Sequence, residues 1–208
     1  MPKHWRALVW VAAEGGLRWG EATELRRKDV TVERADDGAV VRALVNVERA
    51  VTVSSGLPDS LPHGAHLCDC RRGCLIGEPK SAAGTRSLYL YGDAAEALAD
   101  RLARHALRFG NPLLFPARGD DSGQRHLSQS TFHTPAWSDA RKAAEREDMP
   151  FHALRHYAGT RYAQAGATPR QTMARLGHSS VNAAMRYQHA GNRDEELAAR
   201  MARRSTSA

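Results

Sequence analysis

Three groups of side chains that bind or attack phosphate lie in the last sixty residues of the chain. They are His152-Ala-Leu-Arg155, Leu176-Gly-His178-Ser-Ser and, nine positions after His178, Tyr187. A phenol hydroxyl is a nucleophile, and guanidinium and imidazole groups hold phosphate oxygens. The sequence has no acidic cluster of the kind that holds a metal ion for such chemistry. The pattern therefore predicts metal-free attack of a tyrosine on a phosphodiester.

The composition favours an anionic partner. The 208 residues carry 30 lysines and arginines against 23 acidic residues, a formal charge of +7, and the pI is about 9.8. Nucleic acid is the first candidate. The excess of arginine over lysine suits bidentate phosphate contacts, although codon bias in a GC-rich genome would produce the same excess. A chain of this length buries one good core, so we expect one domain over residues 1–208.

The sequence contains no run of eighteen apolar residues and no signal-peptide core, so we expect a cytoplasmic protein without a membrane partner. Cys68, Cys70 and Cys74 are too few and too clustered for a disulfide framework. Together with His66 they offer four ligands for a structural zinc ion. Cys-x-Cys is tighter than the usual zinc spacing, and reduced, unbound thiols are the preferred interpretation.

The first half of the chain predicts two helices followed by strands. Apolar residues recur at helical spacing from Trp5 to Ala13, and a second helical stretch, 20–28, follows the break Gly15-Gly16-Leu17-Arg18. Arg18 is therefore expected at a turn between helices. Residues 40–53 are β-rich and 85–90 read as a return strand, with 80–84 as the turn that places Lys80 on a hairpin.

The second half predicts helices. Asp93 with Glu96 is typical of a capping box that opens a helix to about residue 109, and Thr168 to Gln171 forms another, with proline at the first helical position. Residues 54–77 are expected to form a loop insertion in the β region. The tail, 190–208, reads as a short amphipathic helix.

In four places, in order, the chain resembles the catalytic domain of the tyrosine recombinase, or phage integrase, family. Gly16 to Glu21 with Glu24-Leu-Arg26 is similar to the first arginine box, and Pro79-Lys80-Ser81 before Arg86 to the hairpin lysine. The second box is matched by His152 to His156, and the nucleophile box by Leu176 to Ser180 with Met185-Arg-Tyr187. Four short motifs in the right order are far more specific than any one of them. The fold implied is α+β and mostly α-helical, with a small antiparallel β-sheet near the N-terminal third.

The resemblance also implies a mechanism. Tyr187 would attack the scissile phosphorus to form a 3′-phosphotyrosyl link, without ATP or a metal. Arg18, Arg155 and His178 would stabilise the charge on the phosphate oxygens. Lys80 would protonate the departing 5′ oxygen, and His152 would act as acid or base near the tyrosine. The reaction would be site-specific recombination of double-stranded DNA, for integration or excision of a mobile element.

The resemblance leaves several expectations open. No N-terminal core-binding domain, the clamp that precedes the catalytic domain in the family, is expected in this chain. We expect a monomer off DNA, a tetramer on recombining DNA, and an accessory DNA-bending or excision factor as a further partner. The alternatives are a type IB topoisomerase-like enzyme and a non-catalytic DNA-binding module of the same fold.

Overall fold

A computed structural model of the chain describes residues 1–53, 61, 65–68, 74–79, 82–108 and 110–187. The described helices are α1 (Lys3–Ala13), α2 (Trp19–Glu24), α3 (Gly92–Asp100), α4 (Gln129–Phe132), α5 (Ser138–Ala143), α6 (Ala153–Gln164), α7 (Pro169–Leu176) and α8 (Val181–Met185). A π-helical turn, Arg101–His105, extends α3, and a second one, His133–Trp137, joins α4 to α5.

The strands form two small antiparallel sheets. They are β1 (Val30–Arg34), β2 (Val40–Val47), β3 (Ala50–Val53), β4 (His66–Leu67), β5 (Cys74–Gly77) and β6 (Arg86–Leu90). The first sheet has the order β1-β2-β6 and the second β3-β5-β4. The predicted fold class, mostly helical with a small antiparallel sheet, is confirmed, with two sheets in place of one.

The main core lies between α1, the first sheet, α3 and the aromatic residues that surround α4. Leu8 and Val11 of α1 are fully buried, as is Val45 of β2. Phe132 makes edge-to-face contacts with the rings of Trp5 and Phe151, at centroid distances of 5.6 and 5.5 Å. Such pairs stabilise beyond the area that they bury. This core fixes α1 and α2, and with them the turn that carries Arg18.

The structure corrects three predictions about local elements. The helix that Asp93 was expected to cap begins at Gly92 with Tyr91 as the N-cap and no side-chain cap bond. The insertion 54–77 includes two strands, β4 and β5, which pair with each other and with β3, so it is not only a loop. Residues 80–84 were predicted to be the turn of a hairpin. Strand β6 instead pairs with β2, so the chain between β5 and β6 connects the two sheets. Strand β1 was not predicted.

Three predicted features lie outside the described residues: Lys80, Cys70 and the tail 190–208. No helix in the described part of the chain is long and apolar enough to span a membrane.

The cap of α7 is the predicted capping box. The Thr168 hydroxyl accepts from the Gln171 backbone N–H at 3.2 Å, and the Gln171 side-chain oxygen accepts from the Thr168 N–H at 2.8 Å. Thr168→Ala should lower the free energy of unfolding by about 1 kcal/mol, because it leaves an end N–H without its acceptor. Thr168→Ser keeps the acceptor and should cost much less. Urea denaturation tests this, and equal losses in the two variants would contradict it.

Candidate active site

Arg18 lies where α1 ends and α2 begins. Gly16 adopts a left-handed φ of +70°, and a Cβ there would lie 2.3 Å from a methyl carbon of Leu176, so only glycine lets α7 approach this turn. Arg18 lies at the turn between two helices, as the sequence predicted, and it is the N-cap residue of α2. Its Nη2 donates to the carbonyl of Gly177 at 3.3 Å. The turn between α1 and α2 thus packs directly against the C-terminal end of α7.

A buried carboxylate, that of Glu21, organises the arginines. Arg18 donates to it from Nη1 at 2.8 Å and from its backbone N–H at 2.9 Å. Arg86 donates from Nη2 at 2.9 Å, and Nη1 of Arg155 lies 3.9 Å away. Burial favours the neutral carboxyl, but the bonds from Arg86 and Arg18 outweigh it and lower the pKa of Glu21. One negative charge thus holds three positive ones, which leaves an excess of two for an anion.

Arg155, the third residue of α6, is almost fully buried. Its Nη1 donates to the carbonyl of Gly16 and its Nη2 to that of Leu176, both at 2.5 Å. Burial, with the nearby charge of Arg18, lowers its pKa to about 10, so the guanidinium stays protonated at neutral pH. These bonds use two of the five N–H donors of the group. Arg155 is therefore held rigidly before any ligand arrives.

Two histidines, both in the neutral form, flank the arginines. Burial, followed by the charges of Arg155 and Arg18, lowers the pKa of His178 to about 4. Burial, followed by His156 and Arg155, also lowers the pKa of His152. Neutral imidazoles add donors without adding charge, and a bound anion would reverse part of the lowering because it favours the protonated ring.

Tyr187 is buried, with 6% of its surface exposed. Its ring lies parallel to that of His178, with centroids 6.1 Å apart, and against Gly159 of α6, where a Cβ would come within 2.8 Å of the ring. Its hydroxyl is 3.0 Å from Nδ1 of His156. The hydroxyl thus has a fixed partner.

The structure brings five of the six predicted residues into one region: Arg18, His152, Arg155, His178 and Tyr187. The loop 176–178 links them, because Arg18 and Arg155 donate to its carbonyls and His178 stacks on Tyr187. The sixth, Lys80, lies outside the described residues.

Two residues without a predicted role take part. Arg86 stood at the end of a matched motif, but nothing in the sequence indicated that it is buried against Glu21. His156 ended the second matched box without a role of its own, yet it is His156, not His152, that bonds to the Tyr187 hydroxyl. His152 lies one turn before it, with ring centroids 5.0 Å apart. The sequence signal that could have indicated this role of His156 was its position one helical turn after the matched His152.

The predicted zinc ligands are only partly brought together. Among the described residues, Cys68 and Cys74 cluster with His126, not with His66, which is exposed on β4. His126 lies 58 positions after Cys68, so local spacing could not identify it. Cys70 lies outside the described residues.

Known proteins show which family this fold and site define. The chain matches the model of the Phage integrase family over residues 71–193, more than half of its length. It is 37% identical over 200 residues to the putative prophage phiRv2 integrase of Mycobacterium tuberculosis, covering 96% of this chain and 46% of that protein. It is 32% identical over 201 residues to the integrase of Mycobacterium phage D29, covering 96% and 47%.

Solved structures agree on the fold. The Tn1549 transposon integrase in complex with circular intermediate DNA superposes with a TM-score of 0.64 and 23% identity, covering 97% of this chain and 59% of that one. XerH site-specific recombinase bound to its difH substrate gives a TM-score of 0.56 and 22% identity, covering 95% and 47%. The chain belongs to the phage integrase family, with the fold of a tyrosine recombinase catalytic domain. It spans about half the length of the curated relatives that it matches.

Replacing Glu21 should expose its role in the arginine cluster. Glu21→Gln removes the buried anion and should lower the free energy of unfolding at pH 7 by about 3 kcal/mol. Because the folded pKa of Glu21 lies below the ordinary glutamate value of 4.5, its stabilising effect is present above that pH and is lost as the pH falls through the folded pKa. The difference in the free energy of unfolding between wild type and Glu21→Gln should therefore become smaller at acidic pH.

Denaturant titrations between pH 3 and pH 7 measure this gap. Glu96→Gln, at an exposed position of α3, is the matched control and should change the stability little at any pH. A gap that is constant over the whole range would contradict the assignment.

Proposed function

We propose that this chain is the catalytic part of a site-specific DNA recombinase, an integrase that cleaves and rejoins DNA through a 3′-phosphotyrosyl intermediate. One observation supports the proposal most directly: a tyrosine whose hydroxyl is held by a histidine interacts electrostatically with Arg155, which belongs to an arginine cluster that Glu21 holds together with excess positive charge. Family membership supports the same chemistry. The relatives named as integrases of phages and prophages support a role in integration or excision of a mobile element.

The arginines would hold the scissile phosphate. In the transition state charge accumulates on the non-bridging oxygens, and donors fixed in advance stabilise it without reorganisation. Arg155 is buried and bonded to two carbonyls, while Arg18 is partly exposed and offers its remaining donors to solvent. We therefore assign Arg155 to positioning and charge, and Arg18 to direct phosphate contact, with His178 as a further donor.

Tyr187 would be the nucleophile, with His156 as the group that orients its hydroxyl. His152, one turn away on α6, would then act on the phosphate side of the site. Attack passes the phenol proton to Nδ1 of His156, forms the bond from the tyrosine oxygen to phosphorus and breaks the bond to the 5′ oxygen, which takes up a proton. Lys80 would supply the proton, an assignment that depends on the family resemblance alone. No ATP and no catalytic metal are needed, since the phosphotyrosyl link keeps the bond energy.

The partners follow from the same proposal. Double-stranded DNA is the substrate, and the charge of +7 agrees with it. We propose a monomer off DNA and a tetramer on recombining DNA, acting in the cytoplasm with a DNA-bending or excision factor. A non-catalytic DNA-binding module remains as an outcome of the tests below. A topoisomerase-like enzyme would form the same adduct, but it would relax supercoiled DNA without exchanging partner strands.

The direct test uses duplexes of candidate attachment sequence with a 5′-bridging phosphorothiolate, which traps the covalent intermediate. Wild type should give a protein-DNA adduct on a denaturing gel, with or without EDTA, and Tyr187→Phe should give none. Tyr157→Phe, at an exposed position of α6, is the matched control and should react as wild type does. DNA that is bound but never linked would overturn the catalytic proposal in favour of a binding module.

A second prediction separates the two histidines of α6. His156→Ala should slow adduct formation about 100-fold, because the phenol loses its partner, while DNA affinity stays unchanged. His105→Ala, at the far end of the turn after α3, is the control and should react normally. Single-turnover rates between pH 5 and pH 9 measure the effect. A normal rate for His156→Ala with a large loss for His152→Ala would return the role beside the tyrosine to His152.

A further inference from the structure

Three ligand-type side chains meet on the side of α2 away from Arg18. Cys68 follows β4, Cys74 is the first residue of β5, and His126 forms an isolated bridge with Pro116 before α4. Their ligand atoms all lie within 4.8 Å of one another. The Cys68 sulfur is 3.1 Å from Nδ1 of His126. The segments that carry the two cysteines are also joined by a backbone bond from Cys68 N–H to the Cys74 carbonyl, at 2.9 Å.

The separations suit a single tetrahedral ion. Zinc lies about 2.3 Å from sulfur and about 2.0 Å from imidazole nitrogen, so two ligands of one ion are roughly 3.5 to 4 Å apart. The 3.1 Å between the Cys68 sulfur and Nδ1 of His126 is slightly shorter than this, so zinc binding would require a small shift of these side chains. Two thiolates and an imidazole are a donor set that favours zinc over magnesium or calcium.

The orientation of His126 is fixed from its other side. Its Nε2 lies 2.5 Å from a carboxylate oxygen of Glu24, the last residue of α2. A proton on Nε2 that is shared with a carboxylate leaves the lone pair of Nδ1 directed at the two sulfurs. Metal-binding histidines are commonly oriented in this way by a carboxylate.

Glu24 is itself buried and held in place. Arg26 donates to it at 2.8 Å and Arg49 at 3.4 Å. Simple packing explains part of the cluster, since Cys74 lies among Val51 and Ile76. The bond to Glu24 offsets the cost of burying the imidazole, and it leaves Nδ1 of His126 facing the sulfur of Cys68, an arrangement that apolar packing alone does not require.

We propose that Cys68, Cys74 and His126 supply three ligands of one structural zinc ion, with a solvent molecule in the fourth tetrahedral position and Glu24 as the residue that positions His126. The ion would tie the β3-β5-β4 sheet to α2 and to the strand-like segment around residue 126. Gly20 of α2 already lies against the backbone of Val51 in β3, where a Cβ would come within 2.2 Å of the Val51 carbonyl oxygen. The zinc ion would therefore stabilise α2, the helix whose N-cap is Arg18, without contacting the proposed phosphate site.

The test begins with the metal content of the 208-residue chain, purified under reducing conditions without chelator or affinity tag. We expect one zinc ion per chain, as measured by inductively coupled plasma mass spectrometry. Replacement by Co²⁺ should give the visible bands of a tetrahedral ion and a near-ultraviolet thiolate-to-cobalt charge-transfer band. A folded chain that takes up neither ion after reconstitution, or a disulfide between Cys68 and Cys74, would overturn the proposal.

Variants assign the ligands. Cys74→Ser and His126→Ala should each weaken zinc binding at least about 10-fold in competition with a chromophoric chelator. His66→Ala, exposed on β4 two residues before Cys68, is the matched control and should bind as wild type does. Loss in the control with retention in His126→Ala would refute the assignment. If either ligand variant fails to fold, the cobalt spectrum of the wild type still decides the donor set.

Stability gives an independent readout. Removing zinc should lower the midpoint of thermal unfolding of the wild type by about 5 °C or more and leave that of His126→Ala unchanged. An equal response of the two proteins would contradict the proposal. None of these measurements depends on DNA cleavage, so their failure leaves the recombinase proposal untouched.

Discussion

The buried carboxylate of Glu21 is the interaction on which the candidate site depends. An ionised carboxylate with 2% of its surface exposed is costly unless it is paired, and here it is bonded to Arg18 and Arg86 with Arg155 nearby. The same bonds fix the guanidinium groups, which could not be packed so closely without a counter-charge. Because one anion balances only one of three cations, the cluster is both held together and left with charge for a phosphate.

The arginines in turn hold the backbone that carries the remaining groups. Arg155 donates to carbonyls at residues 16 and 176, so it joins the end of α1 to the end of α7. Arg86 reaches the carbonyl of Arg175, which ties β6 to α7. His178 follows α7 directly, and its ring lies parallel to that of Tyr187. A carboxylate on the second helix thus determines where a tyrosine more than 160 positions later can lie.

Much of the candidate site could be predicted from the sequence, because its chemistry depends on particular residue types at particular spacings. Arg18 was expected at a turn between helices and is the N-cap of α2. The capping box at Thr168 was recognisable because both of its bonds lie within four residues. The start of α3 was misjudged because Asp93 is an acceptable cap residue, but the helix begins two residues earlier than such a cap implies, with Tyr91 as the N-cap.

What escaped prediction depends on contacts between distant residues. Arg86 becomes part of the site only because β6 pairs with β2, and His126 joins the cysteines only because the segment before α4 returns to α2. His156 received no role because a histidine that flanks a matched position is more often a helix-surface or DNA-backbone contact. In each case the side chain was visible in the sequence, but its partner was not.

The central claim is that Tyr187 forms the covalent link to DNA. Peptide mapping by mass spectrometry of the trapped wild-type complex, after nuclease digestion, tests this most directly. The account predicts a nucleotide phosphate on the Tyr187 hydroxyl and on no other residue. A phosphodiester link at Tyr157, at Tyr162 or at a serine would contradict it, whatever the yield of the adduct.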